Sequence, residues 1–317
     1  MFSHLFSLLS SQPRNLMSDT WDAMLNRFAL GAAGYTAASR AEPRPLAPRM
    51  YAVAGGMVTP ESRAPSAAEN YGLPPIARFD RASGLAQIMV EGLIVQSQDG
   101  VDDWGDAYTS QASIQSALHT LSSLKPRVLA MHYNSPGGTA LGNAETSALI
   151  RAFAEQIAPV HAYTDSIMAS AAYFLASAAD TVTAAPSAIV GSIQSVGTVT
   201  DSSGLYERIG IKVHALTNGA FKTTGYPGVP VTAAQLAERK KMVDYYSEEF
   251  TGHVATRRSG GIAAAIPAVS AALGSPVSAA DLCTAMFQGQ IWAAAAAPRP
   301  LLDGLHSTRR DHLQSLL

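Results

Sequence analysis

Short apolar runs alternate with longer amphipathic stretches along the chain from residue 85 onward. The first run, LAQIMVEGLIV at residues 85–95, has the length and the β-branched content of a buried strand. Similar but shorter runs predict further strands at residues 127–133, 160–163, 181–184 and 213–216.

Helical periodicity fills the spaces between these runs. The spacing predicts helices over residues 114–121, over 141–153 and from about 169. Thr232 and Gln235 form a capping-box pattern at the start of a long helix that runs to about Arg258, with Gly260 and Gly261 as its stop signal. For the residues after this helix, the pattern predicts only short helices and no strand. Strands that alternate with helices predict an α/β fold with a mostly parallel sheet, crossover helices and a helical C-terminal segment.

The first 80 residues have a different character. Trp21, Leu25 and Phe28 share one face of a helix predicted over residues 14–30. Residues 35–80 are rich in Pro, Ala, Arg and Gly and show no clean period, which is typical of a linker. We therefore divide the chain into an arm at 1–80, which we expect to be partly flexible, and one large domain at 81–317.

Composition narrows the classes of function. Lys and Arg number 22 and Asp and Glu number 24, so the net charge of −2 argues against nucleic acid as a partner. The single cysteine, Cys283, excludes an internal disulfide and a cysteine-based metal site, and no cofactor is predicted. Residues 1–11 are too short and lack the basic start of a signal peptide. No stretch is long and apolar enough to span a membrane, so we expect a cytoplasmic protein without an integral membrane segment.

Two segments carry candidate chemistry. NSPGG at residues 134–138 follows a predicted strand and opens a predicted helix, so its backbone N–H groups could bind a phosphate or an oxyanion. It lacks the lysine of a phosphate-binding loop, and a plain tight turn is the alternative. Ser170 lies among alanines at a predicted helix start, where a serine is either a nucleophile or a small packing residue.

A nucleophilic serine needs a base. His132, His161 and His214 lie on predicted strands, but their spacing singles out no catalytic triad. Lys222 lies in the loop NGAFKTTGYPG beside aromatic residues, and apolar surroundings favour the neutral amine that can accept a proton. A solvated loop lysine is the alternative interpretation.

Taken in order, NSPGG, ASAAYFLASAAD, GSI and GAFKTTGYP resemble the signal peptide peptidase A family of serine peptidases. The alanine-rich serine segment looks most like the phage and prophage branch, which includes capsid-maturation proteases. The tail segment GQIWAAAAAPRPLLDGL at residues 289–305 weakly resembles the closing motif of the family. The resemblance covers about residues 85–305 and implies a Clp/crotonase-like fold.

The resemblance assigns roles residue by residue. Ser170 matches the family nucleophile and Lys222, 52 residues further along, matches its general base. The N–H groups of Gly138 and Ala171 match the oxyanion hole, and Ser192 matches a serine that orients the lysine amine. The family usually continues GSIGV, whereas residues 194 and 195 are Gln and Ser here, so the loop after Ser192 is altered.

The implied activity is hydrolysis of peptide bonds by a Ser-Lys dyad. In the phage branch the polypeptide substrates are scaffold, portal or capsid-assembly proteins, and we expect the chain to cut its own arm and to form a homo-oligomer. Three alternatives remain: a host-type cytoplasmic protease similar to signal peptide peptidase, a crotonase-type acyl-CoA enzyme, and an inactive head-assembly protein. Basic residues for binding coenzyme A are not evident.

Overall fold

The computed structural model describes residues 75–97, 99–101 and 107–317. The helix predicted over residues 14–30 and nearly all of the arm at 1–80 lie outside these described residues. The boundary near residue 80 therefore stays a prediction.

The strands in the described residues run in chain order as follows. They are β1 Ala77–Asp80, β2 Leu85–Val95, β3 Gly100–Val101, β4 Ala107–Ser110, β5 Val128–Gly138, β6 Val160–Thr164, β7 Ile167–Ala169, β8 Thr181–Ala184, β9 Ile189–Gly191, β10 Ile291–Ala293 and β11 Gly304–Leu305.

The helices in the same residues are numbered separately. They are α1 Gln111–Leu124, α2 Asn143–Gln156, α3 Ala171–Ala176, α4 Ser203–Arg208, α5 Ala233–Arg257, α6 Ser259–Leu273, α7 Ala279–Met286 and α8 Arg309–Ser315. Two single 3₁₀ turns lie at Ala294–Ala296 and Arg299–Leu301.

The sheet is mostly parallel and divides at β5. Its first half pairs β5 with β6, β6 with β8 and β8 with β11, all parallel. The far end of β5 pairs instead with β7, which pairs with β9. On the other side of β5 lies β2, which is parallel to both β5 and β4. Among the described strands, antiparallel pairing is limited to β1 with β2, β3 with β4 and β9 with β10. The predicted α/β class, with its mostly parallel sheet and helical C-terminal segment, is confirmed.

The core lies between this sheet and helices α1, α2 and α3. Alternate residues of β2, Ala86, Ile88 and Val90, are fully buried, as the two-residue period of a strand requires. The Ser110 side chain caps α1 by accepting a hydrogen bond from the Ser113 N–H. Lys125 ends the helix in a left-handed conformation, one residue before a proline that cannot continue it.

The opposite face of the sheet is covered by the C-terminal helix α8. His312 is buried, and its ring stacks on Tyr163 with a centroid distance of 4.8 Å. The His306 ring meets the His312 ring edge-on at 5.3 Å. Helix α8 therefore places an uncharged imidazole inside the protein, where a proton would be costly.

A buried arginine joins the helical segment to the chain end. Arg258, between α5 and α6, makes two hydrogen bonds of 2.8 and 2.9 Å to the Asp303 carboxylate. Its Nε also donates to the Pro300 carbonyl, and Asp303 accepts from the Val182 N–H on β8. This network holds the segment that carries β11 and α8 against the sheet.

Two local predictions are wrong, and a third is right only in part. Residues 213–216 form no strand and their side chains are exposed, because no strand among the described residues pairs with them. The long helix α5 ends at Arg257, as predicted, but Gly260 and Gly261 do not interrupt helical structure, since both lie within the next helix α6. The tail carries two short strands, β10 and β11, where none was expected. The capping box of Thr232 and Gln235 is present as predicted.

The glycines of NSPGG also differ from expectation. They belong to the extended end of β5, where Gly138 is opposite Ile94 of β2, and α2 begins only at Asn143. The segment is therefore a strand end held against β2 and does not open a helix directly.

No helix within the described part of the chain is both long and apolar enough to cross a membrane.

We predict that His312 makes the unfolding free energy depend on pH. Burial, followed by the charges of His306, His161, His132 and Arg309, lowers the pKa of His312 from 6.5 to about 4. Because the unfolded chain binds this proton at higher pH, stability is fully present above pH 6.5 and is lost as pH falls toward 4. In wild type, the unfolding free energy should therefore fall between pH 7 and pH 4.5. We expect His312→Phe, which keeps an aromatic ring on Tyr163, to make this fall smaller by on the order of 2 kcal/mol. Urea titrations at the two pH values measure it.

The exposed His119 supplies the control for this measurement. His119→Phe should keep the wild-type dependence on pH. Parallel stability curves for wild type and His312→Phe would show that His312 is not the titrating group.

Candidate active site

Ser170 lies at the junction between β7 and α3. Its backbone has φ 52° and ψ −127°, a conformation that a residue with a side chain rarely adopts. Such strain persists only when the surrounding structure enforces it, and it is concentrated at functional sites. The half-buried Ser170 therefore stands out from an ordinary packing serine.

The Ser170 side chain does not cap the helix that it precedes. It occupies the N-cap of α3, where serine usually accepts a hydrogen bond from the first turn, yet it makes no such bond. Within the described residues its hydroxyl makes no hydrogen bond at all, and the Ala171 N–H beside it is likewise not engaged. A hydroxyl and an adjacent amide are thus both available to a ligand.

Gly137 is the glycine that touches Ser170. A Cβ at Gly137 would lie 2.5 Å from the Ser170 Cβ and 2.9 Å from the Ala171 nitrogen, so no larger residue fits. Its φ of 110° also favours glycine. The end of β5 and the Ser170 junction are therefore in direct backbone contact.

The two glycines have different surroundings. The Gly137 N–H donates to the buried Ser135 Oγ at 3.1 Å, so it is already used. Gly138 packs on the backbone of Ile94, where a Cβ would lie 1.9 Å from the carbonyl oxygen. The sequence singled out the NSPGG motif and the close backbone approach that its glycines allow, but it gave Ser135 and Gly137 no role of their own.

The strand beside Ser170 is β9. The Ser170 N–H donates to the Gly191 carbonyl at 2.9 Å, and Ala169 is paired with Gly191 in the parallel register. Ser192 follows directly with φ 56°. Ser170 and Ser192 thus directly follow the last residues of two neighbouring strands, and both have a positive φ.

Lys222 lies in a different environment from the apolar one that the sequence suggested. Its side chain is exposed, and its amine makes no hydrogen bond or ion pair within the described residues. The loop around it is held to α5, because the buried Gln235 side chain donates to the Ala220 carbonyl at 2.7 Å. The single chain therefore does not enclose Lys222 in a dry pocket.

None of the histidines considered as a base hydrogen-bonds to Ser170 in the described structure. His132 faces Asp165, with Nε2 3.3 Å from Oδ1, and this imidazole holds the pKa of the Asp165 carboxyl below its ordinary value. The Nδ1 of His161 is 2.7 Å from the Thr181 hydroxyl. His214 is exposed.

Metal ligands are not gathered at this site. Across residues 75–97, 99–101 and 107–317, no three His, Cys, Asp or Glu side chains are grouped so that they could hold an ion. The chemistry that the described arrangement offers is that of a hydroxyl next to backbone amides.

Comparison with protein families gives one partial match. Residues 152–271 match the model of Peptidase family S49, a span that includes Ser170, Ser192 and Lys222. A candidate protease of Methanocaldococcus jannaschii is 30% identical over 125 residues, which make up 39% of this chain and 40% of that protein. The chain thus matches about two fifths of the length of this relative.

The chain is also similar to part of a transporter and to a solved structure. The Na⁺/H⁺ antiporter NhaA of Brucella abortus is 33% identical over 136 residues, which are 42% of this chain and 18% of the antiporter. A ClpP1 point mutant from Listeria monocytogenes superposes with a TM-score of 0.41 and 12% identity, covering 71% of this chain and 93% of that one. The S49 match and the related protease, together with the strained serine, support a serine peptidase.

Proposed function

We propose that this protein is a serine endopeptidase in which Ser170 is the nucleophile and Lys222 is the general base. The observation that supports this most is the geometry at Ser170. Its backbone is strained, its hydroxyl makes no hydrogen bond within the described residues, and Gly137 at the end of β5 lies directly against it. A serine at the N-cap normally accepts a hydrogen bond from the first turn of its helix, so the missing bond at Ser170 needs another explanation. A nucleophile that must stay available to substrate does explain it.

The proposed reaction proceeds in two stages. The neutral Lys222 amine takes the proton of the Ser170 hydroxyl while Oγ attacks the peptide carbonyl carbon. The N–H groups of Gly138 and Ala171 stabilise the oxyanion, since backbone dipoles that are already fixed in place need not reorganise as the negative charge develops. The C–N bond then breaks, Lys222 returns the proton to the leaving amine, and water hydrolyses the acyl-enzyme. Ser192 orients the lysine amine.

We assign Gly138 as the β5 donor because the Gly137 N–H is already bonded to Ser135. Gly138 is the next amide along the strand, and Gly137 keeps this strand end against Ser170. The hydrogen bond from the Gly137 N–H to Ser135 therefore helps to fix the strand end that presents the Gly138 N–H to the oxyanion.

Assembly into a homo-oligomer would give Lys222 the enclosure that it lacks in the single chain. The segment between β9 and α5 exposes many large apolar side chains, and Leu216 exposes 96% of its surface. Apolar surface on this scale marks an interaction site. The exposed residues of this segment are Val196, Leu205, Ile209, Ile211, Val213, Leu216, Phe221 and Tyr226. A second copy packed on them would exclude water around the loop that carries Lys222.

The proposed substrates are polypeptides of phage head assembly, such as scaffold, portal or capsid proteins. This proposal is supported by the resemblance of the alanine-rich serine segment to the phage branch of the signal peptide peptidase A family. The arm at residues 1–80 would be a substrate within the same chain.

Replacement of Lys222 tests the dyad. We expect Lys222→Met to lower the rate of peptide cleavage at pH 8 about 1000-fold, because the serine proton then has no acceptor. Lys212→Met is the matched control, since Lys212 is an exposed lysine in the same segment. Equal rates for wild type and Lys222→Met would show that another group is the base.

Intact mass spectrometry tests removal of the arm. Purified wild type should lack residues from the 1–80 region, whereas Ser170→Ala should have the full-length mass, because only the wild type has a nucleophile. If both proteins are full length, the arm is not a substrate of this site.

A further inference from the structure

Gln194 links the end of β9 to the end of helix α7. Its side-chain Nε2 donates to the Phe287 carbonyl at 2.5 Å. Phe287 is buried and is the C-cap of α7, so its carbonyl is one of those left without a partner inside the helix. The Gln194 amide supplies that partner from a different part of the chain.

The same turn is fastened at its other end. The Ser192 N–H donates to the Gln290 carbonyl at 2.6 Å, and the Gln194 N–H returns to the Ser192 carbonyl at 3.1 Å. Ile193 between them is fully buried. The three-residue turn is therefore held at both ends to the short connection between α7 and β10.

This turn is coupled to Ser170 through one residue. Gly191, just before the turn, accepts the Ser170 N–H and leaves no room for a side chain beside the Gln290 carbonyl and Trp292. A shift of the turn would thus move both the Ser192 hydroxyl and the carbonyl that fixes the strained Ser170 backbone. In the family that the sequence resembles, this position is usually glycine, which has no side chain to make the link.

We infer that Gln194 is a positioning residue of the active site, acting through the Ser192 turn. The inference rests on the proposed function. Its side chain touches neither Ser170 nor Lys222 among the hydrogen bonds of the described residues, so its effect is on the placement of groups that react. Displacement of such groups by about 1 Å lowers rates by about 100-fold.

The test compares Gln194→Glu with Gln288→Glu. Both glutamines donate from Nε2 to a carbonyl at the end of α7, Gln194 to Phe287 and Gln288 to Thr284, each at 2.5 Å. Both variants replace an N–H donor by an acceptor of the same size. Of these two side chains, only that of Gln194 belongs to the Ser192 turn. An effect that comes from helix capping alone should therefore appear equally in both variants.

We expect Gln194→Glu to lower kcat for peptide cleavage about 10- to 100-fold with KM changed by less than about twofold. Amide hydrogen exchange should quicken across residues 190–195 and 168–172 in this variant and stay as in wild type in Gln288→Glu. An unchanged kcat in Gln194→Glu, or equal losses in both variants, would overturn the inference.

Failure of the proposed function gives a different pattern. If wild type itself cleaves no peptide, the peptidase proposal is rejected, and the exchange data alone decide whether Gln194 fixes the turn. Unaltered exchange at 190–195 in Gln194→Glu would then reject the positioning role as well.

Discussion

The site depends on the backbone of Ser170, which is held at a positive φ where β7 turns into α3. Two neighbours enforce this conformation: Gly191 accepts the Ser170 N–H, and Gly137 fills the space beside the Ser170 Cβ. Both neighbours come from strand ends of the same parallel half-sheet, at the edge where α/β proteins usually place their reactive groups. The division of the sheet at β5 is what brings β7 and β9 to that edge. The strain is thus offset by the packing of the surrounding strands.

The C-terminal part of the chain supports the same edge. Strand β10 pairs with β9, and the connection before it accepts the Ser192 N–H. Further on, Asp303 bonds to the buried Arg258 and to β8, which anchors the chain end to the sheet. Residues nearly a hundred positions after Ser192 therefore complete its surroundings. A domain that ended after α5 would lack these contacts, so the C-terminal residues are part of what holds β9 and Ser192 in place.

Much of this could be predicted from the sequence, and the failures have physical reasons. Strands β2, β5 and β6 were recognisable because buried parallel strands are continuous apolar runs. Strands β10 and β11 are only two or three residues long, so pairing with β9 and β8, and not local composition, decides them. Residues 213–216 have strand-like composition but no partner within the described chain. The sequence motifs pointed to Ser170, whereas the contacts of Gly137 and Gln194 depend on tertiary packing that no local pattern records.

The central claim is that Ser170 is the nucleophile of a peptidase, and cleavage of a denatured unrelated protein at pH 8 tests it most directly. Wild type is compared with Ser170→Ala and with Ser166→Ala, a control that removes an exposed hydroxyl four residues earlier. Circular dichroism establishes that all three are folded. The account predicts that wild type and Ser166→Ala cleave at similar rates and that Ser170→Ala cleaves at least about 1000-fold more slowly. Cleavage by Ser170→Ala at the wild-type rate would contradict it.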